Sequence, residues 1–128
     1  MIVIDSSAAL GLLHREPLTV STLANRSLAA PHLIDAEVGH ALRGLVLGGK
    51  LDASTAGQML RVWSALAVRR LPMAGLLHRA WELRENLTCY DAIFVAAAEA
   101  LQARLVTADR RLAGAPGVRC RIELLPVS

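Results

Sequence analysis

The chain has 128 residues, 54% of them hydrophobic and only 3% aromatic, with a formal net charge of +3. That apolar content excludes a disordered segment, and the length suits one domain whose core is built from Leu, Val, Ile and Ala. Two cysteines, Cys89 and Cys120, make neither a disulfide framework nor a Cys-x-x-Cys metal pair.

Ile2-Val3-Ile4 is a β-branched run that predicts a short buried strand. Asp5-Ser6-Ser7 follows, with N-cap chemistry for a helix through Leu13. Pro17 suits the start of a second helix over 18–26. Residues 30–34 predict a second strand, and Asp35 a cap for a helix that Gly48-Gly49 ends. Asp52 or Ser54 opens the next helix, to about residue 67. A short strand over 68–71 is closed by Pro72, and 73–85 reads as helix. Thr88 caps a helix to about residue 103. Leu105-Val106-Thr107 predicts a strand, 109–113 a helical turn and 122–125 a last strand. Strands alternating with helices predict an α/β fold, a parallel sheet covered on both faces. No internal repeat or linker interrupts it, so 1–128 reads as a single domain.

Four acidic residues, Asp5, Glu37, Asp91 and Asp109, each stand where a predicted strand gives way to a helix. Open parallel sheets bind ligands at the carboxyl ends of their strands. Carboxylates gathered there repel, each pair near 4 Å by about 4 kcal/mol at an effective dielectric of 20. A hard divalent cation removes that cost, and carboxylate oxygens are the ligands Mg²⁺ and Mn²⁺ prefer.

Each position has a plainer alternative. Asp5 can serve as an N-cap, although Ser6 or Ser7 caps as well. Glu37, expected in the first turn of its helix, also suits the helix dipole. Thr88-Cys89-Tyr90-Asp91 resembles a capping box. Against that, the run from Ala92 to Ala98 is almost wholly apolar, and a carboxylate at its buried end needs a charge partner or a metal. Thr107 can orient a carboxylate beside Asp109, and Arg110 and Arg111 can meet phosphates or stay solvated. His40 lies one turn from Glu37 and can face the site. Cys89 reads as a small, partly buried filler. Met59, Leu60, Val62, Trp63 and Leu66 have helical spacing and form either core or a partner groove.

These segments resemble the PIN-domain family, most closely the VapC toxins of bacterial VapBC toxin–antitoxin pairs. The likeness is carried by Met1-Ile2-Val3-Ile4-Asp5-Ser6-Ser7-Ala8 and by Glu37-Val38-Gly39-His40-Ala41-Leu42-Arg43. Tyr90-Asp91-Ala92 and Leu105-Val106-Thr107-Ala108-Asp109-Arg110-Arg111-Leu112 complete it. The resemblance implies a three-layer α/β/α PIN domain with a central parallel β-sheet. It implies a Mg²⁺- or Mn²⁺-dependent endoribonuclease holding one or two ions, a homodimer, and a VapB-type antitoxin that wraps the toxin. Apart from the resemblance, two cysteines that make no disulfide framework fit a reducing cytoplasm. It matches Asp5, Glu37, Asp91 and Asp109 to the family's catalytic and metal-binding quartet. Within it, Asp5 and Asp91 are expected as direct ligands, Glu37 as a ligand through water or an aid to the attacking water, and Asp109 as completing the site. Ser6 and Thr107 match the supporting polar positions. Arg15, Arg43, Arg110 and Arg111 are expected to guide RNA or meet acidic residues of the antitoxin. His40 departs from relatives that often carry Asn.

Two other readings compete. A catalytically silent PIN-like module would bind RNA or a protein, and it would be free to lose a carboxylate that this chain keeps. A phosphoacceptor receiver wants adjacent acids after the first strand, and here Ser6 follows Asp5. No run of about 20 apolar residues is present to span a bilayer. Met1 to Ile4 is too short for a signal peptide and is cut by Asp5.

Overall fold

A computed structural model describes residues 1–126. Five strands form one sheet: β1 (Ile2–Ile4), β2 (Leu28–Pro31), β3 (Val68–Leu71), β4 (Arg104–Thr107) and β5 (Ile122–Leu124). The helices are α1 (Ser6–Leu13), α2 (Pro17–Leu23), α3 (Leu33–Leu47), α4 (Ala53–Ala65), α5 (Leu77–Glu82), α6 (Cys89–Leu101) and α7 (Arg110–Ala113). The order across the sheet is β3-β2-β1-β4-β5, and every neighbouring pair is parallel. The chain therefore winds one way through β1, β2 and β3, then returns to place β4 on the other side of β1. Right-handed crossovers running in opposite directions cover opposite faces. The switch falls between β1 and β4, where open sheets leave a crevice at the strands' carboxyl ends.

The core explains why the elements form. All three residues of β1 are buried, as a central strand covered on both faces requires. In α6, seven consecutive residues from Ala92 to Ala98 are buried, and the helix packs on β1, β2 and β4. In α3 the buried positions are Ile34, Val38 and Leu42, one face at intervals of four. Among the described residues no helix is long and apolar enough to cross a membrane.

Several expectations shift. The second strand ends at Pro31, and Ile34 belongs to the buried face of α3, so the apolar run spans a strand end and a helix start. Asp35 does not cap α3. Its Oδ1 accepts hydrogen bonds from Trp63 Nε1 at 2.7 Å and Arg70 Nη2 at 2.7 Å, and its Oδ2 accepts from Arg70 Nε at 3.0 Å. The Arg70 guanidinium also lies 5.4 Å from the Trp63 ring centre. The expected helix over 73–85 is a 3₁₀ turn (Ala74–Leu76) followed by the short α5, as Gly75 and an uncapped start at Met73 weaken a longer one. Residues 127 and 128, which end the expected 1–128 domain, lie outside the described residues.

The Asp35 junction ties α3, α4 and β3 together behind Glu37. Asp35→Ala should cost about 1–3 kcal/mol, because the indole N–H of the buried Trp63 loses its acceptor. Urea unfolding followed by Trp fluorescence measures it, and an unchanged midpoint would reduce the junction to a surface ion pair.

Candidate active site

Asp5 follows β1 directly and is 8% exposed. Of the caps the sequence offered, Asp5, Ser6 or Ser7, it is Asp5 that serves as the N-cap of α1. Its Oδ1 accepts hydrogen bonds from Ala8 N at 3.1 Å and from Ser7 Oγ at 2.6 Å. Its Oδ2 accepts a short hydrogen bond from Thr107 Oγ1. Burial raises the Asp5 carboxyl above its ordinary value, these hydrogen bonds oppose the rise, and the charge on Asp91 adds to it.

Thr107, fully buried at the end of β4, joins the two central strands. Its Oγ1 donates to Asp5 and accepts from the backbone N–H of Asp109 at 2.9 Å. Ser7 reinforces the junction by accepting from Ala108 N at 2.9 Å. Ser7 was not among the site residues expected from sequence. The signal for it was helix-start geometry, which puts a residue two past the cap alongside the capping carboxylate.

Glu37 lies in the second turn of α3, because the helix opens at Leu33. Its carboxyl is raised by burial first, then by Asp91 and by Asp5, and a hydrogen bond with the Ser6 hydroxyl offsets part of this. Ser6 thus supports Glu37 rather than Asp5. Asp91 sits in the first turn of α6, where its backbone N–H donates to the capping Thr88 Oγ1 at 3.2 Å. The mutual effects bring Asp5, Glu37 and Asp91 into one electrostatic cluster, drawn from three separate elements. Among the described residues no Lys or Arg forms an ion pair with any of the three.

Asp109 stands apart. It caps α7, its Oδ1 accepts from Arg111 N at 2.9 Å and Nε at 3.1 Å, and its Oδ2 accepts from Arg111 Nη2 at 2.8 Å. This clasp holds its carboxyl below the ordinary value. Arg111 was expected to meet phosphate or solvent; it meets Asp109. Arg110 and Arg43 are exposed. Arg15 borders a different, apolar cleft between α1, α2 and α4. His40 is exposed and does line a cleft of about 570 Å³ with Ser6, Glu37 and Tyr90. Cys89 is exposed rather than a partly buried filler, since the buried run of α6 begins only at Ala92.

Among the described residues no three acidic, His or Cys side chains are close enough to grip one ion as they stand. The donor set still fits a hard divalent cation: all its donors are oxygens, and burial, with like-charge repulsion added to it, raises two of the carboxyls.

The PIN-domain family model matches residues 2–118. The chain belongs to the PIN-domain family. Within it, the chain is 44% identical over 126 residues to the VapC ribonuclease Mb0985 of Mycobacterium bovis, covering 98% of this chain and 99% of that protein. The chain thus groups with proteins named VapC ribonucleases, and nucleases of this family generally depend on a divalent metal. The fold is also similar to the crystal structure of PAE2754 from Pyrobaculum aerophilum, with a TM-score of 0.67 and 30% identity, covering 88% of this chain and 82% of that one. It is similar again to VapBC2 from Rickettsia felis bound to a promoter DNA fragment, with a TM-score of 0.72 and 16% identity, covering 98% of this chain and 100% of that one.

Proposed function

We propose that this PIN domain is the toxin half of a VapBC-type pair, hydrolysing RNA phosphodiesters with Mg²⁺ or Mn²⁺. One feature carries the reading: Asp5, Glu37 and Asp91 come from three elements, and burial first, with the nearby charge on Asp91 adding to it, raises the Asp5 and Glu37 carboxyls. Asp5, Asp91 and Glu37 would hold the metal, with Asp109 completing a second position. A bound ion supplies an activated water and neutralises charge on the phosphate. Asp5 is oriented for its role by Ser7, Ala8 N and Thr107. Glu37, with its raised proton affinity, is suited to take a proton from the attacking water. Arg110, and Arg111 once drawn from Asp109, would meet the RNA backbone. Attack in line would leave a 5′-phosphate and a 3′-hydroxyl.

The fold's likeness to a VapBC assembly supports a VapB-type antitoxin as partner. The apolar cleft lined by Leu12, Leu13, Pro17, Val20, Val62 and Leu66, where Val62 is 52% exposed, would suit an apolar segment of such a partner. We further place the chain, as a single domain and a homodimer, in the cytoplasm.

Purified protein should cleave a mixed, structured RNA pool with Mn²⁺ or Mg²⁺ and lose that activity in EDTA. A folded protein that binds Mn²⁺ yet leaves the pool intact would favour the silent binding module.

A further inference from the structure

The chain has four aromatic residues. Trp63 and Phe94 are 2% exposed, as core residues are. Trp81 and Tyr90 are 65% and 63% exposed, and both stand near the amino end of α6, where Asp91 lies. An indole left in water forgoes one of the largest apolar burials a side chain offers. In so aromatic-poor a chain, two such exposures beside the carboxylates call for a ligand with flat faces.

The surroundings narrow the ligand. The Arg84 guanidinium carbon lies 4.6 Å from the Trp81 ring centre, and Arg84 Nη1 donates to the Trp81 carbonyl at 3.0 Å. The cation is thus anchored on one ring face, and the 65% exposure leaves the indole otherwise open. From Leu77, Trp81 and Arg84 a cleft of about 480 Å³ runs to Thr88 and Cys89. The next residue, Tyr90, borders the cleft that holds Glu37 and His40. Thr88-Cys89-Tyr90 is therefore a lip between two clefts, with Asp91 one residue beyond. Of the acids near this pair, Glu82 and Glu85, Glu82 is turned towards Arg79 at 3.4 Å and His78 at 3.9 Å.

We propose that the Trp81–Arg84 pair and Tyr90 are stacking subsites for unpaired nucleobases flanking the scissile bond. The proposal rests on the ribonuclease reading above and adds what the protein requires of its RNA. Bases stack on aromatic rings and on guanidinium planes with little sequence preference, and only unpaired bases present a free face. Arg84 adds positive charge for the adjoining phosphates. A second copy of this chain is the competing occupant, since Trp, Tyr and Arg are also enriched at protein interfaces. What favours RNA is that both rings border the clefts beside Glu37 and the start of α6.

The test compares Trp81→Leu, Trp81→Phe and Tyr90→Leu with wild type on an unpaired RNA and on the same sequence held in a duplex. Leu keeps apolar bulk but has no π face. Trp81→Leu and Tyr90→Leu should each raise KM on the unpaired RNA by about 5- to 150-fold with kcat nearly unchanged. Trp81→Phe should stay within a few-fold, and wild type should disfavour the duplex. In an Asp5→Asn background, the unpaired RNA should quench Trp fluorescence, and Trp81→Leu should remove that quenching. If wild type cleaves the RNA but the Leu variants keep its KM, the proposal is overturned alone. If those variants instead change the oligomeric state in sedimentation, the rings belong to a copy interface and the proposal is equally overturned. If wild type cleaves no RNA, the ribonuclease reading fails and takes the proposal with it.

Discussion

Asp5→Asn should abolish metal-dependent RNA cleavage and make the metal-free protein more stable at neutral pH. Loss of an outer partner of a metal site typically costs 10–100-fold, so loss of a direct ligand should exceed about 100-fold. The stability arm follows from proton linkage. Burial raises the Asp5 carboxyl above the 3.8 that applies when the chain is unfolded. Between 3.8 and the raised folded value the native state holds more protons than the unfolded one. The stability that Asp5 contributes is therefore full below 3.8 and lost as pH rises through the folded value. Asparagine removes the charge and keeps one acceptor oxygen for Ser7 and Ala8, while its amide nitrogen meets the Thr107 hydroxyl, which can turn to accept. Melting temperatures in EDTA across a pH series should converge below pH 3.8 and diverge in favour of the variant towards pH 7. Adding Mn²⁺ should raise the melting temperature of wild type alone. A wild type more stable than Asp5→Asn in EDTA at pH 7 would mean that the hydrogen bonds to the carboxylate outweigh the cost of its buried charge, and would overturn this stability prediction.

Thr107→Val should damage both fold and chemistry. Valine matches threonine in shape but leaves Asp5 Oδ2 without its short donor and Asp109 N–H without its acceptor. The expected loss is about 1–3 kcal/mol of stability. Cleavage should fall a further 10–100-fold under conditions where the protein is fully folded, because the Asp5 carboxylate and the Asp109 backbone lose the group that positions them. Thr107→Ser, which keeps the hydroxyl, should recover most of both. Urea titration and initial cleavage rates measure the two arms. Full activity in Thr107→Val would show that Asp5 needs no such support.

Much of the scaffold was legible because local chemistry and long-range packing agree. Ile2-Val3-Ile4 has no reading but a buried strand, and Thr88 and Asp52 cap the helices they were expected to cap. Asp5 and Asp109 do lie just past β1 and β4, but Glu37 sits in the second turn of α3 and Asp91 follows α5 rather than a strand, so the expected placement at strand ends holds for two of the four. What escaped notice involves partners remote in sequence. Asp35 looks like a cap until Trp63 and Arg70 are brought to it from 28 and 35 residues away. Arg79 binds Glu99 at 2.6 Å and the Gly117 carbonyl at 2.7 Å, pinning α5, α6 and the loop before β5, yet no local pattern marks that triangle. Within the site, the division of labour between the two serines was invisible. Ser6 and Ser7 are chemically alike, and only the turn of α1 sends one towards Glu37 and the other to Asp5. The Arg111 clasp on Asp109 was equally hidden, because an arginine two residues on can as well point to solvent.

The buried run of α6 also shapes how this protein can change over generations. A helix with a wet side offers positions where substitutions are neutral; from Ala92 to Ala98 this one has no wet side. Four of its seven residues are alanines, and even one added methylene there meets packed neighbours, a kind of insertion that commonly costs about 1–3 kcal/mol. Asp91 is thus mounted on the least mutable segment of the chain. Lineages drifting apart in surface, partner and substrate would inherit that carboxylate's position almost unaltered.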